Sequence, residues 1–412
     1  MKETQHSKTL PFYILIFLIC TSLVLKTLFF TESLNFSTDQ GYFSHQAYDL
    51  WKAKEHTLPG PTASFNVQGR YLIQSSAIYY VLLLFLVPSN FDPVIASWLL
   101  TLFGCLMAIP LYVGAKKLMS RHNALLLVCM YCLFPFYVQY SRFLWNPNIQ
   151  FILSPLLVVF LGHFREKRHR RSAFLCGFWA SFLLLFHYQM VLGILVLTIY
   201  LIVGEKMSIK NSLMYFFGLI VGYAPMIAYE LNSNFYNIRT VLLLLSNQGE
   251  AVGKTGSLQT YYFLTISFLL LSLFLSKKEL PKKLSLVLSL GILCTSILFF
   301  TQKPSHAFGM VPDWNVIDEI KVVEIIRNEQ QTNFAVVNLA YETKASVMYF
   351  LLHKENVQGS TSNYNENDAL FIIGKPEDRA RTQAYEVRNF EGIKPSKEWT
   401  INETYRLYLL EK

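Results

Sequence analysis

Ten stretches of the chain are apolar enough to suggest helices that enter a membrane: 10–30, 73–88, 93–115, 122–138, 147–164, 172–188, 190–204, 209–229, 258–275 and 284–301. A crossing helix takes about 20 apolar residues, so 172–188 and 190–204 are short for two spans. The first run follows "MKETQHSK" and has no small-residue cleavage site, which predicts an uncleaved span. Beyond residue 304 the pattern changes. "WNVIDEIKVVEIIRNEQ" has helical apolar spacing behind a cap candidate at Asp313. "NFAVVNLA", "ALFIIGK" and "YRLYLLEK" read as strands and "TKASVMYFLLHK" as a helix. The expected fold is an α-helical polytopic membrane domain over 1–304, with a first outer loop at 31–92, followed by a small α/β domain over 305–412. There is no internal repeat.

Composition agrees with a membrane: 53% of residues are hydrophobic and 15% charged, against about a quarter charged in soluble proteins. Residues 1–304 hold 24 Lys and Arg against 11 Asp and Glu, while 305–412 hold 12 against 16. The positive charge falls between apolar runs, which argues for membrane topology and against a nucleic-acid partner. If all ten runs crossed from a cytoplasmic N-terminus, Lys116, Lys117, Arg121, "REKRHRR" at 165–171, Lys206, Lys210 and "KKELPKK" at 277–283 would lie outside. If 73–88, polar at its start and ended by Pro88, instead lies in the outer interface, all of them move inside, as cytoplasmic loops prefer. Only Arg142, Arg239 and Lys254 then remain in the later outer loops. About nine transmembrane helices follow, plus interfacial helices, with the N-terminus cytoplasmic and the C-terminal domain extracytoplasmic, in a plasma or inner membrane. The six cysteines all lie in apolar runs, so no disulfide framework is implied.

The chemistry candidates cluster on the outer face. In "STDQGYFSHQAYDLW" at 37–51, Asp39 opens a helix whose Phe43, Ala47, Leu50 and Trp51 form an apolar stripe, with His45, Asp49 and Lys52 opposite. Such a helix would float in the interface. By spacing Asp39 fits first an N-cap, and the sharper reading, which does not exclude the cap, is a general base that takes a proton from an acceptor hydroxyl. Arg70, His45, Arg142, Arg239 and His187 are outward cations or potential cations, suited to a phosphate leaving group or to lipid headgroups. Lys26 can snorkel from the first span. "SRFLWNPN" sets Asn146 and Asn148 at the mouth of two spans, where amides suit a sugar, and Glu230 ends "GYAPMIAYE". With no compact ligand set in the sequence, no metal and no cofactor are taken to be required.

A first span, then an acid with a nearby glycine on an amphipathic helix, then a second interfacial segment, resembles the GT-C fold of polyprenyl-phosphate-sugar-dependent glycosyltransferases. The protein O-mannosyltransferases and the lipid A aminoarabinose transferase are examples. The pieces that carry the likeness are "STDQGYFSHQAYDLW", "YSRFLWNPN", "LFHYQMVLGILVL" and "GYAPMIAYELNSNFYNIRTVL". The resemblance implies an inverting transfer from a polyprenyl-phosphate sugar donor to a glycan, lipid or protein acceptor, with Asp39 as the catalytic acid residue. Asp39-Gln40 stands where protein mannosyltransferases carry an acidic pair, and Gln74 or Arg70 where the aminoarabinose transferase carries a basic residue. A lipid-linked saccharide flippase or other transporter is the alternative; it calls for ionisable groups at mid-membrane depth and paired repeats. A third reading makes the spans a mere anchor for an outer interaction domain.

Overall fold

A computed structural model describes residues 6–246, 251–252, 263–361, 364–376, 384–388, 390 and 395–412. Lys254 and the first residues of run 258–275 lie outside them. The chain starts with α1 (His6–Thr27), the one-turn α2 (Phe30–Ser33) and α3 (Thr38–Ala53). A hairpin of β1 (Pro59–Val67) and β2 (Arg70–Ser75) leads to α4 (Ala77–Leu86), α5 (Pro93–Leu106), α6 (Ala108–Leu118), α7 (Arg121–Leu133) and α8 (Pro135–Tyr140). Next come α9 (Asn146–Lys167), α10 (Arg170–Leu184), α11 (Met190–Ile199, continued by a π-turn at Tyr200–Gly204), α12 (Ile209–Gly222), α13 (Ala224–Asn232) and α14 (Tyr236–Leu245). The short β3 (Ala251–Val252) precedes α15 (Leu264–Lys277) and α16 (Lys282–Phe300). The remainder is α17 (Val316–Asn328), β4 (Phe334–Asn338), α18 (Ser346–Lys354), β5 (Ala369–Gly374), α19 (Tyr385–Arg388), β6 (Pro395–Thr400) and β7 (Arg406–Glu411).

Among the described residues four helical stretches are long and apolar enough to cross a membrane: Leu10–Thr27, Pro93–Leu118, Asn146–Lys167 and Lys282–Phe300. The pair α12–α13, bent by 60°, makes a fifth; Pro225 in the first turn of α13 stands at the bend. The other apolar helices are shorter, at 10–17 residues. The run 73–88 is not one segment. Its first residues finish β2, and Ser76 separates that strand from α4. Two separate helices, α10 and α11, occupy 172–204, joined through "FHYQ".

Two compact units divide the chain. Unit 1 comprises Met1–Leu28, His56–Val81 and Trp98–Thr301. Its helices meet where glycine lets backbones touch, the device that replaces hydrophobic driving force in lipid. A Cβ on Gly218 would lie 2.2 Å from the Phe174 carbonyl, and one on Gly177 2.0 Å from that of Tyr215, which fixes α10 against α12. Gly114 and Gly162 do the same for α6 and α9. The 22 residues of α9 reach about 33 Å at 1.5 Å per residue, and each end of this helix meets a different polar belt. At the C-terminal end, Arg165 donates to the carbonyls of Leu118 and Ser276. There Glu205 pairs with Arg168 (2.6 Å) and Lys277 (2.8 Å), and Lys117 pairs with Glu166 (2.6 Å). The basic loops of the sequence thus converge on one end of unit 1. Elsewhere Leu286, Val287, Leu290 and Leu298 of α16 stand exposed, as on a helix solvated by lipid.

Unit 2 comprises Phe29–Glu55, Leu82–Ser97 and Gln302–Lys412. Its sheet runs β4-β5-β7-β6, with β4 and β5 parallel from Phe334↔Ala369 to Asn338↔Ile373. All of β4 and β5 is buried, which explains their unbroken apolar runs. Edge strand β6 is largely exposed and carries Lys397 and Glu398, charges that blunt an edge. The helix expected behind Asp313 is α17, and its cap is Asn315: Oδ1 accepts the Ile317 N–H at 2.8 Å, and Asp318 completes a capping box. Asp313 instead accepts from the Thr404 hydroxyl at 2.9 Å.

Candidate functional site

Within unit 1 the short strand β2 gathers the belt opposite the basic one. Asn237, in the first turn of α14, pairs with it like another strand: its Oδ1 accepts the Ile73 N–H at 2.8 Å, and its Nδ2 donates to the Ile73 carbonyl at 2.9 Å. The Tyr188 hydroxyl donates to the same carbonyl at 2.5 Å. One residue on, Gln74 Oε1 accepts from Asn146 Nδ2 at 2.7 Å, and that amide also donates to the Phe186 carbonyl at 3.1 Å. Gln150, one turn into α9, donates to the carbonyls of Leu183 and His187 (2.9 and 2.8 Å). Glu230 receives the N–H groups of Asn237 (3.2 Å) and Ile238 (3.3 Å), the start of α14, where a carboxylate meets the positive end of the helix.

Three of the sequence candidates thus meet in this belt, Asn146 and Glu230 through their side chains and His187 through its carbonyl, and a fourth, Arg70, is the first residue of β2 itself. The Arg70 guanidinium lies over the Tyr236 ring, 4.6 Å from its centroid, a cation–π contact. Arg142 is 5% exposed, and burial pushes its guanidinium down to about 10. Close by, Trp145 stacks with Tyr140 and Phe143 (centroids 6.3 and 5.9 Å), an aromatic wall. Arg239 is exposed on α14. Lys26 does not snorkel: it is fully buried, its Nζ 5.9 Å from the Tyr131 centroid and without a hydrogen-bond partner among the described residues.

Asp39 and His45 belong to unit 2, on α3. The N-cap of α3 is Ser37 and not Asp39; the Ser37 N–H donates to Gln40 Oε1 at 3.1 Å, as in a capping box. Asp39 sits one residue inside the first turn and is exposed. The helix does not float. Phe43, Ala47 and Tyr48 are buried, and Gly41 brings its backbone onto that of Val347 at the start of α18: a Cβ there would lie 2.7 Å from the Val347 nitrogen. The Phe36 and Phe350 rings, 5.9 Å apart, close one end of this contact.

The polar face of α3 meets α18 as well. His45 Nε2 is 2.8 Å from His353 Nδ1, and Asp49 reaches His45 at 3.7 Å and His353 at 3.4 Å. The burial of His45 is the main reason its imidazole titrates below the usual range, offset by the Asp49 charge. The cluster joins positions 308 residues apart, so the sequence, which shows no compact ligand set, gave no sign of it. Gln150, Asn237 and Tyr188 were also missed. Polar side chains inside apolar runs, as in "NPNIQF" and "FYNIRT", were the available signal.

Residues 77–229 match the family model for dolichyl-phosphate-mannose-protein mannosyltransferase. ArnT from Cupriavidus metallidurans, solved bound to undecaprenyl phosphate, matches with a TM-score of 0.50 at 9% identity, covering 96% of this chain and 97% of that one. The Archaeoglobus fulgidus oligosaccharyltransferase in its apo form matches with a TM-score of 0.52 at 10% identity, covering 92% of this chain and 71% of that one. No curated protein matches by sequence. The chain has the GT-C fold that these membrane proteins share.

Proposed function

We propose that this GT-C chain is an integral-membrane glycosyltransferase that moves a sugar from a polyprenyl-phosphate donor to an acceptor on the extracytoplasmic face, with inversion. Asp39 is the general base: it takes the proton of the acceptor nucleophile, whose electron pair attacks the anomeric carbon while the carbon–oxygen bond to the lipid phosphate breaks. Arg70, Arg142 and Arg239 are the candidates for the charge that develops on the leaving phosphate. Asn146, His187 and Glu230 keep the polar belt around β2 in place. The observation that carries this reading is an exposed carboxylate in the first turn of α3, shortly after the first apolar helix, on a fold shared with proteins of this chemistry.

In this reading residues 1–304 form the membrane domain and 305–412 the extracytoplasmic domain. The likeness to a protein solved with undecaprenyl phosphate supports an isoprenoid carrier. Purified protein in detergent, given a radiolabelled polyprenyl-phosphate hexose and candidate acceptors, transfers label. Asp39→Asn keeps the circular dichroism spectrum and loses transfer by a factor of about 10²–10⁴, the usual weight of a general base. Full activity in that variant ends the assignment.

A further inference from the structure

We propose that His45, Asp49 and His353 form a binding site for a divalent transition ion, which clamps α3 to α18. His45 and Asp49 are four residues apart and so lie on one face of α3; His353 comes from the last turn of α18. One ligand atom from each lies within 4.8 Å of the other two. Zinc bonds nitrogen and carboxylate oxygen at about 2.0–2.2 Å, which puts tetrahedral donors about 3.4 Å apart. Here Asp49 Oδ2 is 3.7 Å from His45 Nε2 and Asp49 Oδ1 is 3.4 Å from His353 Nδ1, and the two nitrogens, 2.8 Å apart, need open by only about 0.6 Å to reach that figure.

The second observation is the arrangement of the nitrogens. Two ring nitrogens aimed at each other at 2.8 Å share a single proton when no ion is bound. An ion replaces that proton and gives both lone pairs, and the carboxylate, one common partner. Half-exposed side chains (24% for His45, 43% for Asp49, 32% for His353) leave room for a water or other fourth ligand.

The scaffold supports it. The Gly41–Val347 approach fixes the spacing of the two helices, and the Tyr48 ring packs edge-on against His353 with centroids 5.2 Å apart. Two imidazoles and one carboxylate select Zn2+ and its neighbours over Mg2+ and Ca2+, which prefer all-oxygen shells. Within unit 2 the ion ties down the same helix that bears Asp39. That consequence rests on the function proposed above; the site itself does not.

The test uses full-length protein purified without a polyhistidine tag and stripped with EDTA. It takes up one Zn2+ per chain, read by calorimetric titration and elemental analysis, and Zn2+ raises its melting temperature. Asp49→Asn and His353→Ala each weaken Zn2+ binding by about 10-fold or more and abolish the melting shift, whereas Asp39→Asn leaves both unchanged. No uptake in the wild type overturns the site, as does uptake untouched by His353→Ala or lost only in Asp39→Asn. Because binding and melting are read without turnover, a chain that proves inactive as a transferase leaves this result standing.

Discussion

Glu319 shows how far one buried side chain can shape the behaviour of unit 2. It is fully buried on α17 and accepts hydrogen bonds from Trp314 Nε1 and the Tyr341 hydroxyl, each at 2.5 Å. Burial outweighs those two bonds and pushes its carboxyl up to about 8, from an ordinary value of 4.5. Between those values the folded chain holds a proton that the unfolded chain has released, so stability from this group is full below pH 4.5 and is lost as pH rises through about 8. Glu319→Gln keeps an acceptor for both donors and cannot ionise. Scanning fluorimetry is therefore expected to show a melting temperature that falls from pH 5 to pH 8 more steeply in the wild type than in the variant, and parallel slopes would refute the account. Local sequence does not mark this residue, since "VIDEI" offers two neighbouring acids and only packing against Trp314 and Tyr341 separates them. The cap of α3 was readable, because "STDQ" carries the Ser-x-x-Gln spacing of a capping box; the cap reading fell on Asp39 because aspartate is also a good cap. His353 as a partner of His45 was not readable at all.

Among the elements, the contact of α3 with α18 depends on a missing side chain. Gly41→Ala would set a Cβ 2.7 and 2.8 Å from the Val347 nitrogen and Cα. Backbone atoms cannot rotate aside, so the helices must part, at a cost of about 1–3 kcal/mol, typical of overpacking. A lowered melting temperature for Gly41→Ala is the expected result; an unchanged one would mean that the two helices do not approach so closely. The glycine beside Asp39, which the sequence offers as part of a catalytic motif, has this packing reason to be there. Elements whose apolar period was clean were legible: α17, α18, β4, β5 and β7 follow the expected order. The β1–β2 hairpin was not. Its strands are bulged and broken by Pro59, Gly60 and Pro61, and the apolar run from residue 73 fuses the end of β2 to α4. Strand β6 was missed because an exposed edge, "PSKEWT", carries no apolar signal.

For the whole molecule, unit 1 supplies a physical handle on sidedness. One end of α9 lies among Lys117, Arg165, Arg168 and Lys277, the other among Gln74, Tyr188 and Asn237. Cations in short loops stay on the cytoplasmic side, so the proposed topology puts the basic belt on that side and the β2 belt on the opposite one. Any topology that splits "REKRHRR" from "KKELPKK" would have to break the Arg165 and Glu205 contacts that join them. In a cysteine-free background, Tyr71→Cys and Glu403→Cys should react with a membrane-impermeant maleimide on intact cells, and Arg170→Cys only after permeabilisation; all three positions are exposed. Labelling of position 71 on the same side as position 170 would place the hairpin in the cytosol, and a transfer reaction on the extracytoplasmic face would then have no polar belt to work with.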